Sequence, residues 1–234
     1  MLISEIFYSI QGEGELTGVP SVFVRTSGCN LRCKWCDTPY ASWKPEGHKM
    51  SIDEIVAEVK KHQGARHVVL TGGEPMIAPG IHSLASKLRD ARYHITIETA
   101  GTISPSGIAC DLASLSPKLN NSTPEEGSID AGWIKRHEET RSESVDILSE
   151  WIEQASDYQF KFVISTHDDL MQALGMMRLG FHEIPRWKVQ LMPEGIDSNA
   201  IAKNRAMLID FCKEIGFRFC DRLHIHLFGN TRGT

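Results

Sequence analysis

Cys29, Cys33 and Cys36 put three thiols into eight consecutive residues of a 234-residue chain that holds six cysteines in all. Thiolate sulfur is the soft ligand that iron–sulfur clusters select, and a four-iron cluster held by protein alone uses four of them. A Cys-x3-Cys-x2-Cys triplet leaves one iron open. That iron can bind a substrate or cofactor directly, so the spacing points to chemistry at the cluster, beyond electron storage. Residue types alone leave two alternatives: a three-cysteine zinc site completed by a histidine, and unrelated buried thiols. Cys110, Cys212 and Cys220 are scattered and read as buried, inert thiols, because a disulfide framework belongs to small secreted domains.

The formal net charge is −5, with Lys and Arg spread along the chain, which excludes the basic footprint of a nucleic-acid binder and favours a small-molecule substrate. An anionic substrate stays open, since one or two local arginines decide recognition of a carboxylate. The 41% hydrophobic content is enough to bury a sizeable core, and residues 1–234 read as a single domain. The N-terminal segment carries Glu5 and no basic region before a long apolar run, and no stretch is long enough to span a bilayer. A cytoplasmic protein is expected.

Ser21–Thr26 is rich in β-branched and aromatic residues after the turn signals Gly18 and Pro20, and predicts a buried strand that feeds the cysteine loop, residues 27–43. Ser51 with Glu54 three residues on forms a capping box for an amphipathic helix that Gly64 should end. The alternation then repeats: strand 67–71, helix 81–89, strand 93–98, an apolar piece at 108–115, helix 145–155, strand 160–165, helix 168–179, strand 187–192, helix 198–215 and strand 223–228. Alternating strands and helices imply an α/β fold with a mostly parallel sheet and right-handed crossovers. About six βα units fall short of a closed eight-fold barrel, so a partial (β/α) barrel is expected.

Such sheets place active sites at the carboxyl ends of their strands. Cys29, Gly72, Gly73 and Glu98 fall at such ends, and Gln190 is expected near the end of the sixth strand. Residues 118–143 form a polar excursion, read either as a loop or short helix near the site or as a passive insertion. His224 and His226, two apart on the expected last strand, would share a face and hydrogen-bond inside the barrel, or, with Cys220, hold a metal. Trp133, Trp151 and Trp187 read as core or lid residues.

With Trp35 before the last cysteine, the triplet resembles the cluster motif of the radical S-adenosylmethionine superfamily. Gln11-Gly12-Glu13-Gly14, Arg25, Cys36-Asp37-Thr38, Thr71-Gly72-Gly73-Glu74-Pro75 and Ser116-Pro117-Lys118 are together similar to the 7-carboxy-7-deazaguanine synthases. The resemblance implies a [4Fe-4S] cluster on Cys29, Cys33 and Cys36, with the amino and carboxylate groups of S-adenosylmethionine on the open iron. It implies cofactor contacts from Trp35, Cys36, Asp37, Gly73, Glu74, Ser116, Pro117, Lys118 and Gln190. A pterin substrate would meet Ile10, Gln11, Gly12, Glu13, Arg25, Thr71 and Thr234, and Thr38 would be a Mg²⁺ ligand. The implied activity is a lyase that contracts the ring of 6-carboxy-5,6,7,8-tetrahydropterin, with loss of ammonia, in 7-deazapurine and queuosine biosynthesis. An external flavodoxin- or ferredoxin-type electron donor and a homodimer come with it. Two other readings stand beside this one: an activase that makes a glycyl radical on a partner protein, and a non-catalytic electron-transfer module.

Overall fold

A computed structural model describes residues 1–234. Leu2–Ile10 (β1) and Pro20–Thr26 (β2) form an antiparallel pair, and β1 also pairs with the short His48–Lys49 (β3). All later strands are parallel: His67–Gly72 (β4), His94–Thr99 (β5), Leu112–Leu115 (β6), Tyr158–Ile164 (β7), Val189–Pro193 (β8) and Arg218–Phe219 (β9). They order as β3-β1-β2-β4-β5-β6-β7-β8-β9 in one open sheet, the partial barrel of the expected βα series. Helices Ile52–Lys60 (α1), Ile81–Asp90 (α2), Ala131–Ser142 (α3), Ser144–Gln154 (α4), His167–Gly180 (α5), Ser198–Ile215 (α6) and Leu223–Phe228 (α7) complete it.

The period-2 alternation of the strands sorts residues between two environments. Val22, Val24, Val68, Leu70, Ile95, Ile97, Phe160, Phe162 and Leu191 are fully buried and share one core with Ile55, Leu84, Leu148, Leu170 and Leu208 of the helices. Burying each such side chain contributes about 1.5–3 kcal/mol. The alternate positions hold most of the polar strand residues, Arg25, Thr71, Glu98, Ser114, Gln159, Lys161 and Gln190, among apolar ones such as Phe23, Val69, Val163 and Met192. A polar inner face survives only where its groups find partners or line a cavity, and both occur here.

At the amino-terminal end of the sheet the polar contacts are closed. Ser21 Oγ donates to the Val19 carbonyl at 2.8 Å, so it accepts from His67 Nδ1 at 2.6 Å, and His67 Nε2 accepts from Thr96 Oγ1 at 2.7 Å. Burial, with His94 adding, pushes the His67 imidazole down to about 4 and keeps it neutral.

The expected capping box on α1 is present: Glu54 N donates to Ser51 Oγ at 3.2 Å and Ser51 N to Glu54 Oε2 at 2.7 Å. The helix stops at Lys60, ahead of Gly64, because Lys61 N already bonds back to the Glu58 carbonyl. The expected last strand is a correction: residues 223–228 form helix α7, and the last strand is β9 before it. Leu-His-Ile-His-Leu-Phe alternates like a strand, yet buried Ile225 and the bond from Leu223 N to the Gly12 carbonyl dock it as a helical turn. His224 and His226 therefore do not share a face. His226 is exposed beside Asp221 at 3.2 Å, outside the barrel interior. Trp187 is another correction, being 63% exposed and neither core nor lid, whereas Trp151 is fully buried and donates to the Ile103 carbonyl. Strand β1 carries no sequence expectation, and the polar excursion is ordered as a short turn, Asn120–Ser122, followed by α3.

Candidate active site

At the carboxyl ends of the strands lies a cavity of about 250 Å³. Cys29, Cys33, Trp35, Cys36, Asp37 and Thr38 line it from the loop after β2, and Thr71, Gly72 and Gly73 from the end of β4. Ile10, Gln11, Gly12, Glu13 and Arg25 close a second side, with Ser116, Lys118 and Thr234 also on the wall. Three expected residues lie off it. Pro117 does not line the cavity; Glu74 and Gln190 are each 1% exposed.

The three thiols fit a cluster. Cys29, Cys33 and Cys36 all reach the same cavity, and a cubane takes each thiolate on a different iron, so the donors need not converge on one point. Burial, with the Glu74 carboxylate near Cys29, pushes the Cys29 and Cys33 thiols up to about 12, so they bind metal only by losing their protons to it. Cys36 Sγ sits 3.1 Å from Ser42 Oγ and 3.8 Å from Thr38 Oγ1. Gly73 packs against this loop: a Cβ there would lie 2.2 Å from the Gly28 carbonyl oxygen and 2.7 Å from Cys29 Cβ. Only glycine lets the turn after β4 approach so closely.

Glu74 acts on the protein itself. Its carboxylate accepts from Thr99 Oγ1 at 2.8 Å, Ala100 N at 2.9 Å and Met76 N at 3.1 Å, which pins the turn to the end of β5. Burial raises its pKa against those three donors. Gln190 is the second residue of β8, well before the strand's end, and donates to Gln159 Oε1 at 2.7 Å in a layer below the cavity.

On the opposite wall, Gln11 donates to Glu98 Oε1 at 3.2 Å and accepts from Glu13 N at 3.1 Å, so its amide is engaged internally. Thr71 Oγ1 donates to Glu98 Oε2 at 3.0 Å. Glu13 takes Lys161 Nζ at 2.5 Å and Arg222 Nε at 3.0 Å, and the same guanidinium reaches Asp37 beside the last cysteine and the Gly195 carbonyl. Burial opposes ionisation of Glu13, but Lys161, Arg222 and His224 together hold its carboxyl well below the usual range. A Cβ on Gly12 would lie 2.1 Å from His224 Nδ1, so the imidazole packs directly on the Gln11–Glu13 turn.

Arg25 lies over the Phe7 ring and gives Nε to Glu5 Oε1 at 2.6 Å, which leaves its terminal nitrogens for a ligand. Glu5 also accepts from Tyr40 Oη at 3.0 Å and pairs with Arg232 Nε at 3.4 Å, which holds the segment 229–234 against the cavity wall. Lys161 and Arg222 are cavity residues that carry no expectation from sequence; Glu98 lines the cavity from the end of β5, as its place at a strand end implied, and His224 lines it from α7 instead of from a strand. A lone lysine inside the apolar run Phe-Lys-Phe-Val-Ile was the readable signal for Lys161.

Residues 23–168 match the Radical SAM superfamily. The chain is 50% identical over 234 residues to 7-carboxy-7-deazaguanine synthase of Rhodopirellula baltica, spanning all of this chain and 89% of that one. It is 40% identical over 246 residues to the enzyme of that name from Halobacterium salinarum, covering 99% and 92%. The crystal structure of QueE from Escherichia coli superposes with a TM-score of 0.67 at 26% identity, covering 95% of this chain and 94% of that one. The three clustered cysteines, the glycine turn and Arg25 meet on one cavity in a chain with these relatives, and the chain belongs to the 7-carboxy-7-deazaguanine synthase family of the radical S-adenosylmethionine superfamily.

Proposed function

We propose that the chain is a lyase that converts 6-carboxy-5,6,7,8-tetrahydropterin to 7-carboxy-7-deazaguanine with loss of ammonia, in queuosine and related 7-deazapurine biosynthesis. The observation that carries this reading is the shared cavity, where the cysteine loop faces the Arg25 and Gln11–Glu13 wall across the open end of the sheet. When bound, a [4Fe-4S] cluster and S-adenosylmethionine would supply the radical chemistry that acts on the pterin C6–H bond.

Cys29, Cys33 and Cys36 would hold three irons, and the turn at Gly72 and Gly73 would offer backbone carbonyls to the methionine ammonium. Ser116 and Lys118 stand on the wall for the ribose and carboxylate, with Lys118 Nζ tied to Ser116 Oγ at 2.8 Å and its charge 5.6 Å from the Trp35 ring. Arg25 presents its unpaired edge to the substrate carboxylate, and a charged Glu13 next to the Gly12 backbone takes the N–H edge of the ring. The segment 229–234, held to the cavity wall by the Arg232–Glu5 pair, would help keep water from a reactive carbon centre. Thr38, with substrate oxygens and waters, would hold Mg²⁺; a lone hydroxyl is too weak a ligand set without them. A flavodoxin- or ferredoxin-type donor, a homodimer and a cytoplasmic location belong to the same reading. No helix is long and apolar enough to cross a membrane.

The test is anaerobic reconstitution with iron and sulfide, then S-adenosylmethionine, reductant and the pterin. The expected result is 7-carboxy-7-deazaguanine and ammonia in equal amounts. Formation of 5′-deoxyadenosine with no pterin-derived product would overturn the substrate assignment while keeping the cofactor.

A further inference from the structure

Buried His137, in the middle of α3, hydrogen-bonds to residues that do not line the cavity, yet its ring is fully shielded and both nitrogens are engaged. Its Nδ1 accepts the backbone N–H of Arg32 at 3.0 Å, between the first two cluster cysteines. Ser122 Oγ gives its one proton to the Leu119 carbonyl at 2.6 Å, so His137 Nε2–H donates to Ser122 Oγ at 3.0 Å. The neighbouring bonds run the same way. Lys34 N donates to the Ser122 carbonyl at 3.0 Å, and Trp35 Nε1 to Asn121 Oδ1 at 3.2 Å. Asn121 Nδ2 in turn donates to the Val163 carbonyl of β7 at 3.0 Å, and the Arg32 guanidinium lies 4.0 Å from the Trp133 ring.

We infer that His137 is a positioning residue for the cluster loop, and that the polar segment 118–143 is the brace on which the loop is held. The inference rests on the iron–sulfur reading of Cys29, Cys33 and Cys36. Two amides flanking Cys33 end on this brace, as does the side chain before Cys36, so three consecutive anchor points fix the path from the first thiol to the third. Burial pushes the His137 imidazole down to about 4, in keeping with an unprotonated Nδ1 that accepts from Arg32. Ligand-bearing loops held by an outer layer of hydrogen bonds lose metal about 10- to 100-fold more readily when that layer is cut.

Three variants separate the Arg32 bond from simple filling of space. His137→Asn keeps an acceptor at the Nδ1 position, His137→Gln keeps a donor towards Ser122, and His137→Leu keeps neither. Each reconstituted full-length protein is challenged with an iron chelator, and the rate of iron loss is followed alongside the thermal midpoint of the apoprotein. Expected are loss about ten-fold faster for Leu and Gln, and near-wild-type retention for Asn. Wild-type rates in all three, or Gln protecting as well as Asn, would overturn the inference. Should Leu fail to fold, the Asn and Gln pair still decides it. A wild-type protein that takes up no iron would instead overturn the cluster reading itself.

Discussion

Arg222 and Glu13 lie 209 residues apart in the chain and 3.0 Å apart in the fold, and the same guanidinium holds Asp37 next to the last cluster cysteine. One side chain thus joins the Gln11–Glu13 turn, the proposed pterin wall, to the cysteine loop. Cutting one partner from a buried ion pair leaves the other charge uncompensated, at about 3–5 kcal/mol. Arg222→Met should lose about that much stability in urea unfolding, whereas Arg222→Lys, which keeps charge but cannot span two carboxylates, should fold and raise KM for both pterin and cofactor. An unchanged KM for either ligand in the lysine variant would separate the two walls.

Lys161 has a different task, since it meets Glu13 alone among the acids within bonding reach. Lys161→Met should raise the pterin KM by about ten-fold or more and leave S-adenosylmethionine binding intact, because Glu13 then keeps one cation of two. Calorimetric titration of the cofactor into the reconstituted variant checks the second half.

Arg25→Lys retains a positive charge near Glu5 but loses the paired edge offered to a carboxylate. Pterin KM should rise by about ten-fold with iron content unchanged. Thr38→Ala should instead blunt the rise of activity with Mg²⁺ concentration. The same Mg²⁺ response in Thr38→Ala as in wild type would remove Thr38 from the ion's ligands.

Cys29→Ala, Cys33→Ala and Cys36→Ala should each lose the reconstituted cluster, while Cys110→Ala, Cys212→Ala and Cys220→Ala keep it. The case to watch is Cys220, which accepts from Gly14 N at 3.2 Å near the cavity. Iron per chain measured after desalting reads the answer, and loss in Cys220→Ala would mean a fourth protein ligand.

The His67 network makes a prediction about acid. Its folded pKa of about 4 lies below the usual 6.5, so between these values the unfolded chain binds the extra proton. Its contribution to stability is complete above about pH 6.5, shrinks as pH falls towards 4 and is constant below that. From pH 7.5 to 5 this one group should cost up to about 2 kcal/mol. Urea midpoints for wild type and His67→Gln at the two values test it: the slope against pH should be shallower in the glutamine variant.

The βα order and the cysteine loop were legible because their signals are local: period-2 and period-3.6 apolar patterns, a capping box, a thiol spacing. Strand β1 was not, since Leu2–Ile10 has a mixed burial pattern that only its two antiparallel neighbours explain. Helix α7 was misread because the alternating hexapeptide is docked by burial of its own Ile225 and by the bond from Leu223 N to the Gly12 carbonyl, a partner more than two hundred residues away. Glu74 and Gln11 carry family motifs, yet their polar atoms bond to β5 and Glu98, and no motif reveals which side of a turn a carboxylate faces. Arg222 joins acids that only the closed fold brings together.

The bridge from Asp37 to Arg222 also sets an order of events during synthesis. It spans 185 residues, so at about 5–20 residues per second the cysteine loop leaves the ribosome roughly 10–40 s before the guanidinium that locks it exists. For that interval the three thiols stand in an unfinished barrel, open to whatever delivers iron and sulfide. A chain stopped at Asp221 should therefore take up iron at least as fast as the full chain, and release it faster. Slower uptake by the shortened chain would mean that loading waits for the finished fold.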